Sequence, residues 1–311
     1  MKRLPTQIVA ALLLAAACTT ERQVGRFLDR QSADDGGALL PDVAPIVDDA
    51  LGGGPPVDDA EVGGVVIDAG AEAPPAIHFV RIPPKRALPD EAACAAMIQG
   101  DGVETRPDNT VYNHTISPPE QVAMLGMFGG GRGFDSAAIP LGKRVSGNFT
   151  GTTDEILRWG ACKWGFEEDF VRAESYQVNA WHQASVSGWT SNRSNCPPSG
   201  GLTRNGPDGV ECAQIFGIFG LTWQYNKSAW PMYRDSTAFH VDYTLAVQRV
   251  CFEGLTDYMK GWGPPDKTYG PNDEFGCAAS FFTGGWYDFT TIQQLNRIKD
   301  TLAKRPWQSG L

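Results

Sequence analysis

Six cysteines, Cys94, Cys162, Cys196, Cys212, Cys251 and Cys277, follow an export-type leader, and they constrain what this chain can fold into more than any other feature. In the leader, Lys2 and Arg3 supply positive charge, Ile8 to Ala17 form an apolar run, and Ala15-Ala16-Ala17 precede a seventh cysteine, Cys18. Such a run reads as a secretory signal over residues 1–17, too short to span a bilayer as a mature helix. An even number of thiols in an exported chain points to disulfides. No pair has the two-residue spacing of a zinc knuckle, and His78, His114, His182 and His240 stand far apart, so no metal and no cofactor is expected. Six thiols allow many pairings. Cys196 with Cys212 would close one loop rich in Pro, Gly and Ser, Cys251 with Cys277 would close another, and Cys94 with Cys162 is the remainder.

The segment Leu14-Ala15-Ala16-Ala17-Cys18 resembles a bacterial lipobox. That resemblance implies cleavage before Cys18, acylation of its thiol, and a mature protein tethered to the cell envelope through an N-terminal lipid. By the same analogy, Thr19 rather than an Asp implies an outer-membrane or periplasmic destination. Plain secretion is the alternative.

Charge is distributed unevenly. Of 36 acids, ten (Asp34, Asp35, Asp42, Asp48, Asp49, Asp58, Asp59, Glu61, Asp68 and Glu72) lie between Arg30 and Arg81, a stretch with no Lys or Arg. Removing those ten leaves 26 acids against 26 bases. A neutral body behind an acidic leader has no basic stripe to neutralise phosphates, so nucleic acid is not an expected partner. Residues 18–80, with repeated Asp-Asp, Gly-Gly and Pro-Pro pairs and almost no aromatics, read as a disordered acidic linker, since they bury too little apolar surface to offset ordering entropy. Residues 81–146 are Gly- and Pro-punctuated and poorly defined, with a short helix expected near 90–99. Residues 147–311 read as the folded domain.

Within that domain, Thr152-Thr153-Asp154-Glu155 has the form of a capping box, and a helix is expected from Asp154 to Lys163, ended by Gly165. Glu167, Glu168 and Asp169 suit the first turn of a second helix reaching about Tyr176, where the macrodipole favours acids; they read as a solvated helix start without chemistry. Glu174 has two readings. It is an exposed helix-end residue beside Ser175, or, one turn from Phe170 and Val171, a desolvated carboxyl with a raised pKa suited to general acid work. Among Trp181, Trp189, Trp223, Tyr225, Trp230, Trp262, Trp286 and Tyr287, most belong to a core and two or three could line a groove. His182 and His240 read as structural. No Asp is placed by sequence to orient either, which argues against a hydrolase triad.

Three motifs in order carry a family resemblance over residues 147–290: Ala173-Glu174-Ser175, Phe216-Gly217-Ile218-Phe219-Gly220-Leu221, and Ser280-Phe281-Phe282-Thr283-Gly284 with Gly285-Trp286-Tyr287. Together with TGTTDEILRWGACKWGFEEDFVRAESYQVNAWHQ they resemble a lysozyme-like family of secreted actinobacterial proteins related to soluble lytic transglycosylases. The resemblance implies a mainly α, α+β lysozyme-like fold with disulfide-closed loops. It implies a peptidoglycan-cleaving activity in which Glu174 is acid and then base, Ser175 orients sugar, Gly217 and Ile218 present backbone groups to the glycan, and Trp286 and Tyr287 flank the cleft. Asp242, in the segment matching the family's crossing helix, reads as structural. Gly220 and Phe282 stand where the family carries Gln and Asn, and Gln214 where relatives often have Glu. These departures keep open a catalytically inactive glycan-binding lipoprotein, and also an interaction protein working through residues 81–150.

Overall fold

The computed structural model describes residues 78–309 apart from 99, 101, 129–132, 199–200 and 208. The signal segment, Cys18 and the linker as far as residue 77 lie outside the described residues. Six helices of seven residues or more organise the rest: α1 (Glu91–Met97), α2 (Thr153–Trp164), α3 (Glu168–Asn179), α4 (Thr237–Phe252), α5 (Glu274–Thr283) and α6 (Phe289–Lys304). Between α3 and α4 lie five short strands, β1 (Val186–Ser187), β2 (Thr203–Gly206), β3 (Gly209–Cys212), β4 (Ile215–Phe216) and β5 (Leu221–Thr222). They form an antiparallel sheet of order β1-β4-β5 and a separate β2-β3 hairpin. The fold is mainly helical with a small β component.

Local signals start α2 and packing keeps it. Thr152 Oγ1 accepts from Glu155 N–H at 3.3 Å while Glu155 Oε2 accepts from Thr152 N–H at 2.7 Å, a complete capping box worth about 1 kcal/mol. Ile156, Leu157, Trp159 and Trp164 are fully buried, at roughly 1.5–3 kcal/mol each, so the core outweighs the cap. Helix α2 packs on α3 and α4, and α6 packs on α3 and α5.

Helix α3 runs about one turn beyond the expected end near Tyr176, to Asn179, because Ala180 takes the left-handed conformation and donates its N–H to Tyr176 O at 2.7 Å. Its first turn is also not the solvated start that the sequence suggests. Glu168 and Asp169 are buried, and Arg158, Arg172 and Arg305 reach them at 3.0–3.3 Å from other turns and helices. Arg172 is within helical reach along the sequence, but nothing in the acids themselves points to Arg158 on α2 or to Arg305 just past the end of α6.

Residues 81–146 share the core of the remainder. Val122, Leu125, Met127, Phe128, Ala138 and Val145 belong to the same hydrophobic cluster as Trp159 and Phe239. Disulfides close Cys94–Cys162, Cys196–Cys212 and Cys251–Cys277, with sequence separations of 68, 16 and 26. Arg249 on α4 binds the incoming chain, donating Nη1 to Ile82 O at 2.8 Å and Nη2 to Pro83 O at 3.1 Å. Among the described residues no helix is long and apolar enough to cross a membrane.

Candidate functional site

Two of the polar side chains that helix α4 carries into the interior, Asp242 and Gln248, meet different surroundings. Asp242 is fully buried and saturated. Its Oδ2 accepts from Lys163 Nζ at 2.7 Å, Ser146 N–H at 2.7 Å and Gly147 N–H at 2.8 Å, and its Oδ1 from Trp164 Nε1 at 2.7 Å. Lys163, itself buried, also reaches Glu91 Oε2 at 2.7 Å. The partners join α1, α2, α4 and the 146–147 segment, which fits the structural role read for Asp242.

Gln248, six residues further on, donates Nε2 to Glu174 Oε1 on α3. Glu174 is 0% exposed, so the helix-end reading does not hold. Glu174 Oε2 and Gln248 Oε1 are both buried without a hydrogen-bond partner, as are Thr244 Oγ1 one turn earlier on α4 and Ser280 Oγ on α5. Burial pushes the Glu174 carboxyl up to about 8 from its ordinary 4.5, against the smaller opposing effect of the Gln248 amide. The group is therefore a neutral acid at physiological pH, carrying a proton.

The other residues singled out by sequence occupy three places. Ser175 Oγ turns back on its own helix, donating to Val171 O at 2.9 Å and Arg172 O at 3.1 Å. The turn joining β4 to β5 is tied to α3 and α4. Gly217 N–H donates to Ser185 O at 2.8 Å, Gly217 O accepts from Asn179 Nδ2 at 2.6 Å, and Ile218 N–H donates to Gln183 Oε1 at 3.2 Å. These backbone groups face inward. A Cβ on Gly217, at φ +76°, would lie 2.4 Å from the His240 ring. Gly220 is at φ +60° with Val178 Cγ1 3.1 Å from where a Cβ would stand, so a side chain there, such as the Gln of the family pattern, would be strained. Trp286 is buried with Nε1 donating to Lys267 O at 2.8 Å, and Tyr287 Oη donates to Asp273 Oδ2 at 2.7 Å. No contact joins either ring to Glu174 among those described.

Histidine chemistry divides as sharply. His240, fully buried, is driven down to about 3 by desolvation, and Nδ1 donates to Tyr233 O at 2.7 Å while Nε2 accepts Phe219 N–H at 3.3 Å; it is a neutral brace. His182, against expectation, has an acid beside it: Nδ1 pairs with Asp108 Oδ2 at 2.8 Å, both side chains more than 40% exposed. A separation of 74 residues hides that pair from any sequence pattern.

Donor atoms of His78, Glu167 and Asp169 lie within 4.8 Å of one another. His78 is already shared between Glu167 at 3.0 Å and Glu168 at 2.9 Å, while Asp169 faces Arg172 and Arg305, so cations of the chain itself neutralise the group. A cavity of about 340 Å³ opens elsewhere, lined by Gly102, Glu104, His114, Phe149, Thr152 and Glu155 among others. Its acids are helix-start ligands, Glu104 Oε2 accepting Thr153 N–H at 2.8 Å and Glu155 capping α2.

Comparison with family models, curated proteins and solved structures finds no match to this chain. The reading of function therefore rests on the site's own chemistry.

Proposed function

We propose that the protein cleaves peptidoglycan strands at the cell envelope as a lytic transglycosylase or related muramidase, with Glu174 as acid and then base. The observation that carries this reading is the Glu174 carboxyl itself: wholly desolvated, held above neutrality, and with one oxygen unclaimed. Glycosidic cleavage needs a proton delivered to the leaving oxygen as the sugar takes on oxocarbenium character. Glu174 supplies that proton, and the resulting carboxylate then takes one from the attacking hydroxyl. An attacking hydroxyl of the sugar itself closes an anhydro ring; attack by water gives a reducing end. The three disulfides fit an oxidising compartment outside the cytoplasm. Anchoring through lipid on Cys18 completes the proposal.

A second reading, a silent glycan-binding lipoprotein on the same scaffold, has specific support. Glu174 has no exposure, and the Gly217 and Ile218 backbone groups are bonded internally rather than offered to a ligand. Incubating the full chain, disulfides intact, with purified sacculi separates the two when soluble products are read by mass spectrometry beside Glu174→Gln. Anhydro-ended fragments that vanish in the variant establish the transglycosylase, and reducing ends that vanish establish a muramidase. Folded protein that sediments with sacculi and releases nothing rejects both in favour of the binder.

A further inference from the structure

Gln248 is the one side chain hydrogen-bonded to Glu174 among the described contacts. The two groups are complementary halves of a ring. A side-chain amide can turn one of its N–H donors and its carbonyl oxygen, both on one carbon, to the same partner, and a protonated carboxyl offers one O–H and one C=O. Half of that ring is present, Gln248 Nε2 donating to Glu174 Oε1. The remaining two atoms, Glu174 Oε2 and Gln248 Oε1, are both acceptors when the carboxyl is ionised, and both are buried and unpartnered. Two buried oxygens without a hydrogen bond are both left desolvated and uncompensated, and a single proton between them removes both penalties.

We propose that Glu174 and Gln248 form a cyclic acid–amide pair, in which the proton on Glu174 Oε2 is donated to Gln248 Oε1 and Gln248 is the positioning residue for the acid. No charged side chain from α2, α4 or α6, nor from α3 itself, contributes to the carboxyl's pKa among the described residues; burial and this amide are its two causes. The pair therefore works as a proton store without a counter-ion. Its use in catalysis rests on the glycan-cleaving reading: a glycosidic oxygen displacing Gln248 Oε1 takes the same proton. The O–H bond at Oε2 breaks, a new one forms on the leaving oxygen, and that oxygen keeps the electron pair of the broken sugar bond. The pair itself exists with or without that reaction.

Infrared difference spectra of the full chain across about pH 8 test the pair directly. Wild type is expected to show a protonated-carboxyl band below that pH, absent in Glu174→Gln. In Gln248→Met the band is expected to move to higher frequency, because the carboxyl C=O no longer accepts an amide N–H. Gln248→Glu, which keeps the shape, covers the case in which the Met variant fails to fold. Its two carboxyls are expected to lose the first proton at lower pH than wild type and hold the second to higher pH, because an O–H steadies the neighbouring carboxylate better than an N–H does. Absence of a band that responds to Glu174→Gln overturns the proposal. So does a band unmoved in Gln248→Met, or an unchanged first proton loss in Gln248→Glu. A band that behaves as stated in a protein releasing no fragments from sacculi removes the glycan-cleaving reading and leaves the pair standing.

Discussion

Asp242 and Gln248 sit six residues apart on α4, and the two centres they build are opposites. Around Asp242 two acids, one lysine, a hydroxyl, two backbone amides and an indole N–H satisfy one another. Around Gln248 there is one bond and two idle oxygens, with no counter-ion. A saturated buried charge is scaffold, since any change in it strands a partner. An unsaturated buried carboxyl has capacity left for a reacting molecule or a proton, which is why burial of Glu174 and not burial of Asp242 suggests chemistry.

That contrast can be broken at several points. Asp242→Ala is expected to destabilise by about 3–5 kcal/mol in urea titration, because it strips Lys163 of its most buried anion and orphans Trp164 Nε1 and two backbone amides. Glu174→Gln keeps the ring of hydrogen bonds without a titrating proton, so its effect depends on pH. The wild-type carboxyl has a folded pKa near 8 against an unfolded 4.5; the folded state binds more protons between them, and stability falls as pH rises through that window. At roughly 1.4 kcal/mol per pH unit, the wild type loses about 3 kcal/mol from pH 4.5 to pH 7 relative to the variant. Parallel stability curves for the two proteins would remove the neutral-acid reading.

Smaller changes sharpen the comparison. Glu91→Gln leaves Lys163 with Asp242 and is expected to cost about 1 kcal/mol in thermal denaturation, well below Asp242→Ala, since Glu91 stands at the partly exposed edge of the network. Ser175→Ala removes only bonds to its own helix, and a stability change under about 0.5 kcal/mol with sacculus cleavage intact is expected. Loss of cleavage in that variant would return Ser175 to the sugar-binding role that the family resemblance implies.

How much of this was legible depended on distance along the chain. The capping box at Thr152 and Glu155 spans four residues and reads directly. The short loops they close favour Cys196 with Cys212 and Cys251 with Cys277 among the many pairings that six thiols allow. Glu174 stood out because Phe170 and Val171 are its neighbours one turn away. Gln248 lies 74 residues from it, and nothing in the sequence of α4 distinguishes that Gln from a solvated one. The same holds for Arg305 on Asp169 and for Asp108 beside His182, whereas Arg172, three and four residues beyond Asp169 and Glu168 on one helix, is a pairing that local spacing offers. Short-range physics sets which elements form; which polar groups face each other across the core is decided by helix packing, which no local pattern encodes.

The strap formed by residues 79–94 has a mechanical consequence. Any pull transmitted from the N-terminal side first meets His78 on Glu167 and Glu168 and the backbone of Phe79 on Glu168, then Ile82 N–H on Gly165 O at 2.9 Å and the grip of Arg249 on Ile82 and Pro83. Those bonds are loaded nearly one after another, so they yield like a zipper. The tear then reaches Cys94, whose covalent link to Cys162 passes the load into α2. Unravelling stops there while the disulfide holds: the bond carries the load past the loop it closes, so residues 95–161 are bypassed by the pull.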